Sequence, residues 1–295
     1  MLTADAPIPS RIAGYLAERF PPVVYTVLVT LFAGSAVLLA RAYDPDGTMH
    51  PQVWVAGVVV WLAFLHLRLM DEHKDYEGDC AAYPDRLLSR GVVDLPLLGR
   101  LLIVVVLLEA ALAFSLGPLA LGWWAAMCLF TLAMRYEFGV GGWLSKHIVI
   151  YAITHNPVVA LLAIFVLVST GLTWNMNLLL YVSMVSVGSL AFEVGRKIRE
   201  PSEEIDGVES YSSALGRRGA SWLLAGLVVL TLGLGVLTLW PLARGVAGAI
   251  AMGALWLGAA AALLMGRPGQ PAKRVELGAS LLLLLSFVSV GVAAW

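Results

Sequence analysis

Charge is scarce in this chain, and so is cysteine. Only 13% of its 295 residues are Asp, Glu, Lys or Arg, while 60% are hydrophobic. A soluble domain carries about 25% charged residues, so the composition excludes one and points to an integral membrane protein. Two cysteines, Cys80 and Cys128, are too few for a disulfide framework or a thiolate metal cluster. Cys128 lies inside an apolar segment and reads as packing. The first twenty residues, MLTADAPIPSRIAGYLAERF, lack an apolar signal core and contain Asp5, Arg11, Glu18 and Arg19. That speaks against a cleaved signal peptide and suggests an amphipathic segment over 1–21 lying at the membrane interface. No soluble binding domain is evident, the net charge is -1, and no nucleic-acid partner is expected.

Long apolar runs are what the chain has in abundance. A spanning helix needs about 20 mostly apolar residues, and nine runs qualify: 22–42, 53–70, 96–116, 118–135, 147–169, 174–195, 219–240, 242–265 and 275–295. Gly117-Pro118 and Trp240-Pro241 break continuous runs and mark hairpins. The glycines of the seventh and eighth runs suit close helix packing in lipid. The expected fold is an all-α, polytopic bundle of nine transmembrane helices, one domain over 1–295, with a central cavity opening to the cytoplasm. Of 19 basic residues only Arg41 and Arg244 fall on the side opposite the N-terminus. The positive-inside bias therefore places the N-terminus and the long connections 71–95 and 196–218 in the cytoplasm. Trp295 then ends outside the cytoplasmic membrane.

Unusual acidity is confined to those two connections. DEHKDYEGD sets Asp71, Asp75 and Asp79 at four-residue intervals. In a helix these share one face, where like charges repel. A carboxylate at membrane depth is costly unless paired or bound to a cation, and carboxylate oxygens suit Mg²⁺ held jointly with substrate phosphates. The second connection carries Glu193, Glu200, Glu203, Glu204 and Asp206. Two acidic sets facing each other would clamp a diphosphate through bridging Mg²⁺. Arg68, Lys74, Arg86, Arg90, Arg196, Lys197 and Arg199 are either ion-pair partners or phosphate ligands, and the sequence leaves both open. Glu72, Glu77, Asp94 and Glu209 read as solvated loop ends. An unbroken helix would hold Asp71 about 12 Å from Asp79, too far for one ion. Gly78 is expected to loosen the helix and leave Asp79 on the following loop.

With these motifs the chain resembles the UbiA superfamily of intramembrane prenyltransferases. Asp71, Asp75 and Asp79 match its first motif, N-x-x-x-D-x-x-x-D. YPDRLLSRG, residues 83–91, matches the following segment at Pro84, Arg86, Leu88 and Gly91. Glu193, Glu200, Glu203 and Glu204 fall at the intervals of its second motif, D-x6-D-x2-D-D, with Gly207 and SYSSALG (210–216) after them. The chain departs from the pattern with Asp71 in place of Asn, Glu in place of every second-motif Asp, and Pro201 within that motif. Arg196 and Lys197 also stand where neutral residues are common. The resemblance implies metal ligation by Asp71, Asp75, Asp79, Glu200 and Glu204. It further implies catalytic roles for Asp71, Asp75, Arg86 and Lys146, and substrate contacts from Arg68, Tyr136, Glu193, Arg196, Lys197 and Glu203.

Three polar residues interrupt the apolar runs: Glu109, His155 and Asn156. One reading makes them interhelical hydrogen bonds; the other has His155 and Asn156 lining an acceptor pocket beside the break at Pro157. His66 reads as a packing residue. The function expected is a Mg²⁺-dependent transfer of a prenyl group from an isoprenoid diphosphate to an aromatic or lipid acceptor in the bilayer. Cyclisation within the same superfamily, phosphoribosyl transfer to a polyprenyl phosphate and cation transport are the alternatives. Acceptor, chain length and oligomeric state are not encoded in any motif.

Overall fold

The computed structural model describes residues 2–205 and 207–295; Asp206 lies outside them. Thirteen α-helices follow one another, with no strand among the described residues. They are α1 (Ile8–Arg19), α2 (Pro22–Tyr43), α3 (Trp54–Lys74), α4 (Tyr76–Ala82), α5 (Leu95–Ser115), α6 (Pro118–Arg135), α7 (Gly141–Leu144), α8 (Ile148–His155), α9 (Pro157–Ser169), α10 (Met176–Arg196), α11 (Tyr211–Leu239), α12 (Gly245–Met265) and α13 (Ala272–Ala294). Nine segments of the described chain are long and apolar enough to cross a membrane, α8 and α9 counting as one.

Local chemistry explains the boundaries. The Asp94 carboxylate accepts from Leu97 N at 2.7 Å and starts α5. Asn175 does the same for α10, accepting from the backbone N–H groups of Asn177 and Leu178. Gly117 holds φ at 100° and reverses the chain before Pro118, a conformation that Cβ-bearing residues resist. Pro157 has no N–H to continue α8, so the fifth span breaks there.

The spans form a closed ring in chain order. Each of α2, α3, α5, α6, α9, α10, α11, α12 and α13 packs on its successor, and α13 returns to α2. Further contacts of α10 with α13 and α9 with α2 fill the middle. The largest apolar core runs through this middle, with Phe32, Leu39, Leu162, Phe165, Tyr181 and Phe287 buried. A smaller core lies under α1, whose Tyr15 joins Leu69 and Leu98 in complete burial, as does Phe20 just beyond it. The amphipathic N-terminal segment is thus a helix docked on the bundle. Arg11 donates to the Val92 carbonyl at 2.5 Å and Glu18 accepts from Leu87 N.

Glu109, fully buried on α5, accepts from Trp124 Nε1 at 3.0 Å and lies 3.3 Å from His66 Nδ1. These contacts join α3, α5 and α6 inside the membrane. Asn156 donates to the Ser186 carbonyl at 2.9 Å, tying α9 to α10.

Candidate functional site

At one end of the ring a cavity of 940 Å³ opens between the end of α3, α4, the 137–151 segment and the connection after α10. Asp71, Asp75 and Asp79 all line it. Helix α3 ends at Lys74, and Asp75 both terminates it and precedes α4, with φ −99° and ψ 13°. The break therefore comes at Asp75, not at Gly78, and Asp79 sits in the first turn of a helix rather than on a loop. Hydrogen bonds from Asp75 N to Asp71 O and from Asp79 N to Asp75 O, each 2.8 Å, carry the four-residue spacing through the break. The acidic stripe survives because the chain bends without unwinding.

The three carboxylates differ in company. Asp79 is clamped by two guanidinium groups, Arg86 at 2.6 Å and Arg19 at 3.1 Å. Asp71 has Arg68 alone within ion-pair distance among the described residues, at 3.9 Å. Asp75 faces the cavity with no side-chain partner among the described residues. Partial burial raises the Asp75 carboxyl above its usual range, with Lys74 opposing the shift and Asp79 adding to it.

Across the cavity stand cations. Arg196, Lys197 and Arg199 line that wall together with Gly207, Val208 and Glu209. Glu193 sits behind it, 2.5 Å from Arg196 and 2.8 Å from Lys197, and fixes both. Arg199 Nη1 is buried with no acceptor among the described residues. The wall opposite the aspartates is thus basic, where the sequence led us to expect a second acidic set. The cause is where α10 stops. It ends at Arg196, and Glu200 is extended before Pro201, as a residue preceding proline prefers. The chain turns away before reaching the remaining glutamates.

The structure accordingly does not bring Glu200, Glu203 or Glu204 into this cavity. Glu200 accepts from Arg217 at 2.7 Å and from Gly269 N at 3.0 Å. Glu203 accepts from Ala272 N at 2.9 Å and from Glu200 N at 3.1 Å. Glu204 accepts from the Ser210 hydroxyl at 2.7 Å. Together they fasten the connection after α10 to itself, to α11, to the loop before α13 and to the start of α13.

Comparison with solved structures fits this architecture. An apo structure of a UbiA homolog from Aeropyrum pernix K1 superposes with a TM-score of 0.71 at 18% identity, over 91% of this chain and 96% of the other. A structure of a digeranylgeranylglyceryl phosphate synthase gives 0.67 at 15% identity, over 97% and 99%. The chain shares the fold of these two structures. No protein-family model and no curated protein sequence matches the chain.

On this fold the remaining expected residues separate into wall and surroundings. Arg68 and Arg86 line the cavity. Tyr136 and Lys146 are exposed outside its lining, whereas their neighbours Glu137 and Ser145 are in it. His155 stacks on Tyr151 at 4.0 Å between centroids, and Tyr151 lines the cavity. The His155 Nε2 atom is buried without a hydrogen-bond partner among the described residues.

Sequence reasoning missed four contributors, Glu137, Tyr151, Arg19 and Glu209, and left the role of Lys74 open. Lys74 pairs with Glu137 at 2.9 Å and donates to the Tyr151 hydroxyl, which braces one side of the cavity. Arg19 reaches in from α1. Glu209, read as a solvated loop end, is a lining residue. No spacing rule links residues 74, 137 and 151, since only the bundle brings them together.

Proposed function

We propose that this chain is an intramembrane transferase that moves a prenyl group from an isoprenoid diphosphate to an acceptor within the bilayer. The observation that carries the reading is the cavity itself, which has an acidic stripe on one wall, fixed cations on the other, and sits at one end of a membrane-embedded ring. The similarity to prenyltransferase structures supports it at the level of fold. The lysine and arginine bias supports orienting the cavity mouth to the cytoplasm.

The donor set fits Mg²⁺. Asp71 and Asp75 offer hard carboxylate oxygens to the cavity, and Asp75 has no competing side-chain partner among the described residues. Asp79 joins them if a substrate anion draws Arg19 or Arg86 from it. Bound there, Mg²⁺ would supply positive charge to the departing diphosphate.

The other tasks fall to the chain. Arg196, Lys197 and Arg199 bind the diphosphate oxygens, and Glu193 orients the first two so that little freedom is lost on binding. Arg68 reaches the same anion from the acidic wall. The carbon–oxygen bond of the allylic diphosphate breaks to an allylic cation, and the electron pair leaves with the diphosphate. The acceptor's electron pair forms the new bond to carbon, and the proton the acceptor loses passes to the released diphosphate. The surrounding helices keep water from that cation.

Purified protein incubated with Mg²⁺ and prenyl diphosphates of several lengths tests this. Diphosphate release that requires an aromatic or lipid acceptor is expected. Asp75→Ala is expected to lower it by about 100-fold or more while leaving the protein folded. Release without any acceptor would shift the reading to cyclisation or hydrolysis, and no release with any prenyl diphosphate would remove it.

A further inference from the structure

A second cavity, of 560 Å³, opens between α11 and α12 and is separate from the acidic one. Its lining comes from Arg218, Ser221, Trp222, Leu224 and Ala225 on α11, from Ala262 and Leu263 near the end of α12, and from Gly266, Arg267 and Pro268 just past it. Both helix ends lie on the same side of the bundle as the acidic cavity, because α11 starts where α10 ends. Helix α11 is kinked at Gly216 (φ 70°, ψ 153°), and its straight part, 217–239, rises about 34 Å against about 30 Å of hydrocarbon. Its first turn after the kink therefore stands at the membrane interface.

The charges at this level are unbalanced. Arg217 is fully employed: it donates to Glu200, to the Ser221 hydroxyl and to the carbonyls of Arg267 and Gln270. Its neighbour Arg218 and the side chain of Arg267 have no carboxylate partner among the described residues. Both are exposed, and both border the same cavity. Beneath them the wall turns apolar with Leu224, Ala225, Ala262 and Leu263. Trp222 stands beside it, 78% exposed, as an indole does at the headgroup level. The groove is built into the packing. A Cβ on Gly266 would meet Leu224 Cδ2 and the Ala262 carbonyl oxygen at 2.8 Å each, so the helices are in contact behind it.

We infer that this groove binds one anionic phospholipid. Two guanidinium groups without a carboxylate partner among the described residues match a phosphodiester, to which arginine donates in fork geometry. The Ser221 hydroxyl accepts from Arg217 and keeps its own proton to donate to the same anion. An acyl chain continues down the apolar wall past Ala225 and Leu263. Lipids with a positive headgroup present no net charge to the two arginines and bind less well. The site is independent of the transferase reading, since none of its residues borders the acidic cavity.

Native mass spectrometry of the full chain in detergent, titrated with phosphatidylglycerol or phosphatidylcholine of the same acyl chains, tests the inference. Phosphatidylglycerol is expected to remain bound and to raise Tm. R218Q/R267Q is expected to bind it about 30-fold more weakly, from the loss of two basic residues at the membrane surface. Because both arginines are exposed and unpaired, the unliganded Tm of that variant should match the parent. A225F leaves the charges in place, fills the groove and should also lose the lipid. Equal affinity for phosphatidylcholine would overturn the inference, as would unchanged phosphatidylglycerol binding in either variant. Inorganic phosphate matching the Tm rise of phosphatidylglycerol would reduce the site to an anion subsite and overturn the lipid assignment.

Discussion

Glu72 follows Asp71 directly in the chain, yet it belongs to the other face of α3. The residue reads in the sequence as a solvated helix end. In the structure it is 3% exposed and accepts from Arg19 Nε at 2.7 Å. Successive residues in a helix lie about 100° apart, so the face that puts Asp71 in the cavity turns Glu72 toward α1. Removing Glu72 leaves Arg19, itself largely buried, with only Asp79 as a partner. Glu72→Ala is expected to destabilise the protein by about 1.5–3 kcal/mol, readable as a lowered Tm. The same substitution at exposed Glu77 should change little. Equal effects of the two would mean that α1 is not held through this pair.

At the scale of elements, the connection after α10 acts as a fastener for the three last spans. Glu203 accepts from the backbone N–H groups of Glu200 and Ala272. The Glu200 hydrogen bond first, and the Ala272 one next, hold its carboxyl below the usual range. A depressed carboxylate contributes stability at pH above its unfolded value and loses it as pH falls through the folded value. Tm should therefore fall on acidification below the ordinary carboxylate range. Glu203→Gln should start lower at neutral pH and lose less over that acid limb. Parallel pH curves for the two proteins would show that the carboxylate is not what secures the α10 connection to the start of α13. Metal ligation by Glu200 and Glu204 is the competing role for this region, and Mg²⁺ titration of Glu200→Gln and Glu204→Gln separates the two.

At the scale of the whole molecule, opposite charges meet only because the ring closes. Asp71 and Asp75 come from the second span, while Arg196 and Lys197 come from the end of the sixth. Neither wall alone completes a shell for metal and diphosphate together. Mg²⁺ and inorganic diphosphate added jointly are thus expected to raise Tm by more than the sum of their separate effects. Asp75→Ala should remove that excess while retaining the diphosphate response. A full response to Mg²⁺ alone would point to a preformed cation site and favour ion transport.

Burial in lipid is a property of composition, so nine apolar stretches and the all-α class could be read from the residues alone. The stripe of Asp71, Asp75 and Asp79 was legible for a related reason. Its spacing is local, and local hydrogen bonds preserve it even through the bend at Asp75. The opposite wall was not legible. Glu193, Glu200, Glu203 and Glu204 have the expected intervals, but intervals specify a shared face only while a helix lasts, and α10 ends at Arg196. That Glu200 and Glu203 fasten to Gly269 and Ala272, which cation meets Glu137, and that α1 reaches Glu72 and Asp79 depended on contacts between residues 53 to 69 positions apart. Such contacts exist only in the tertiary structure, because packing between helices and not spacing along the chain decides them.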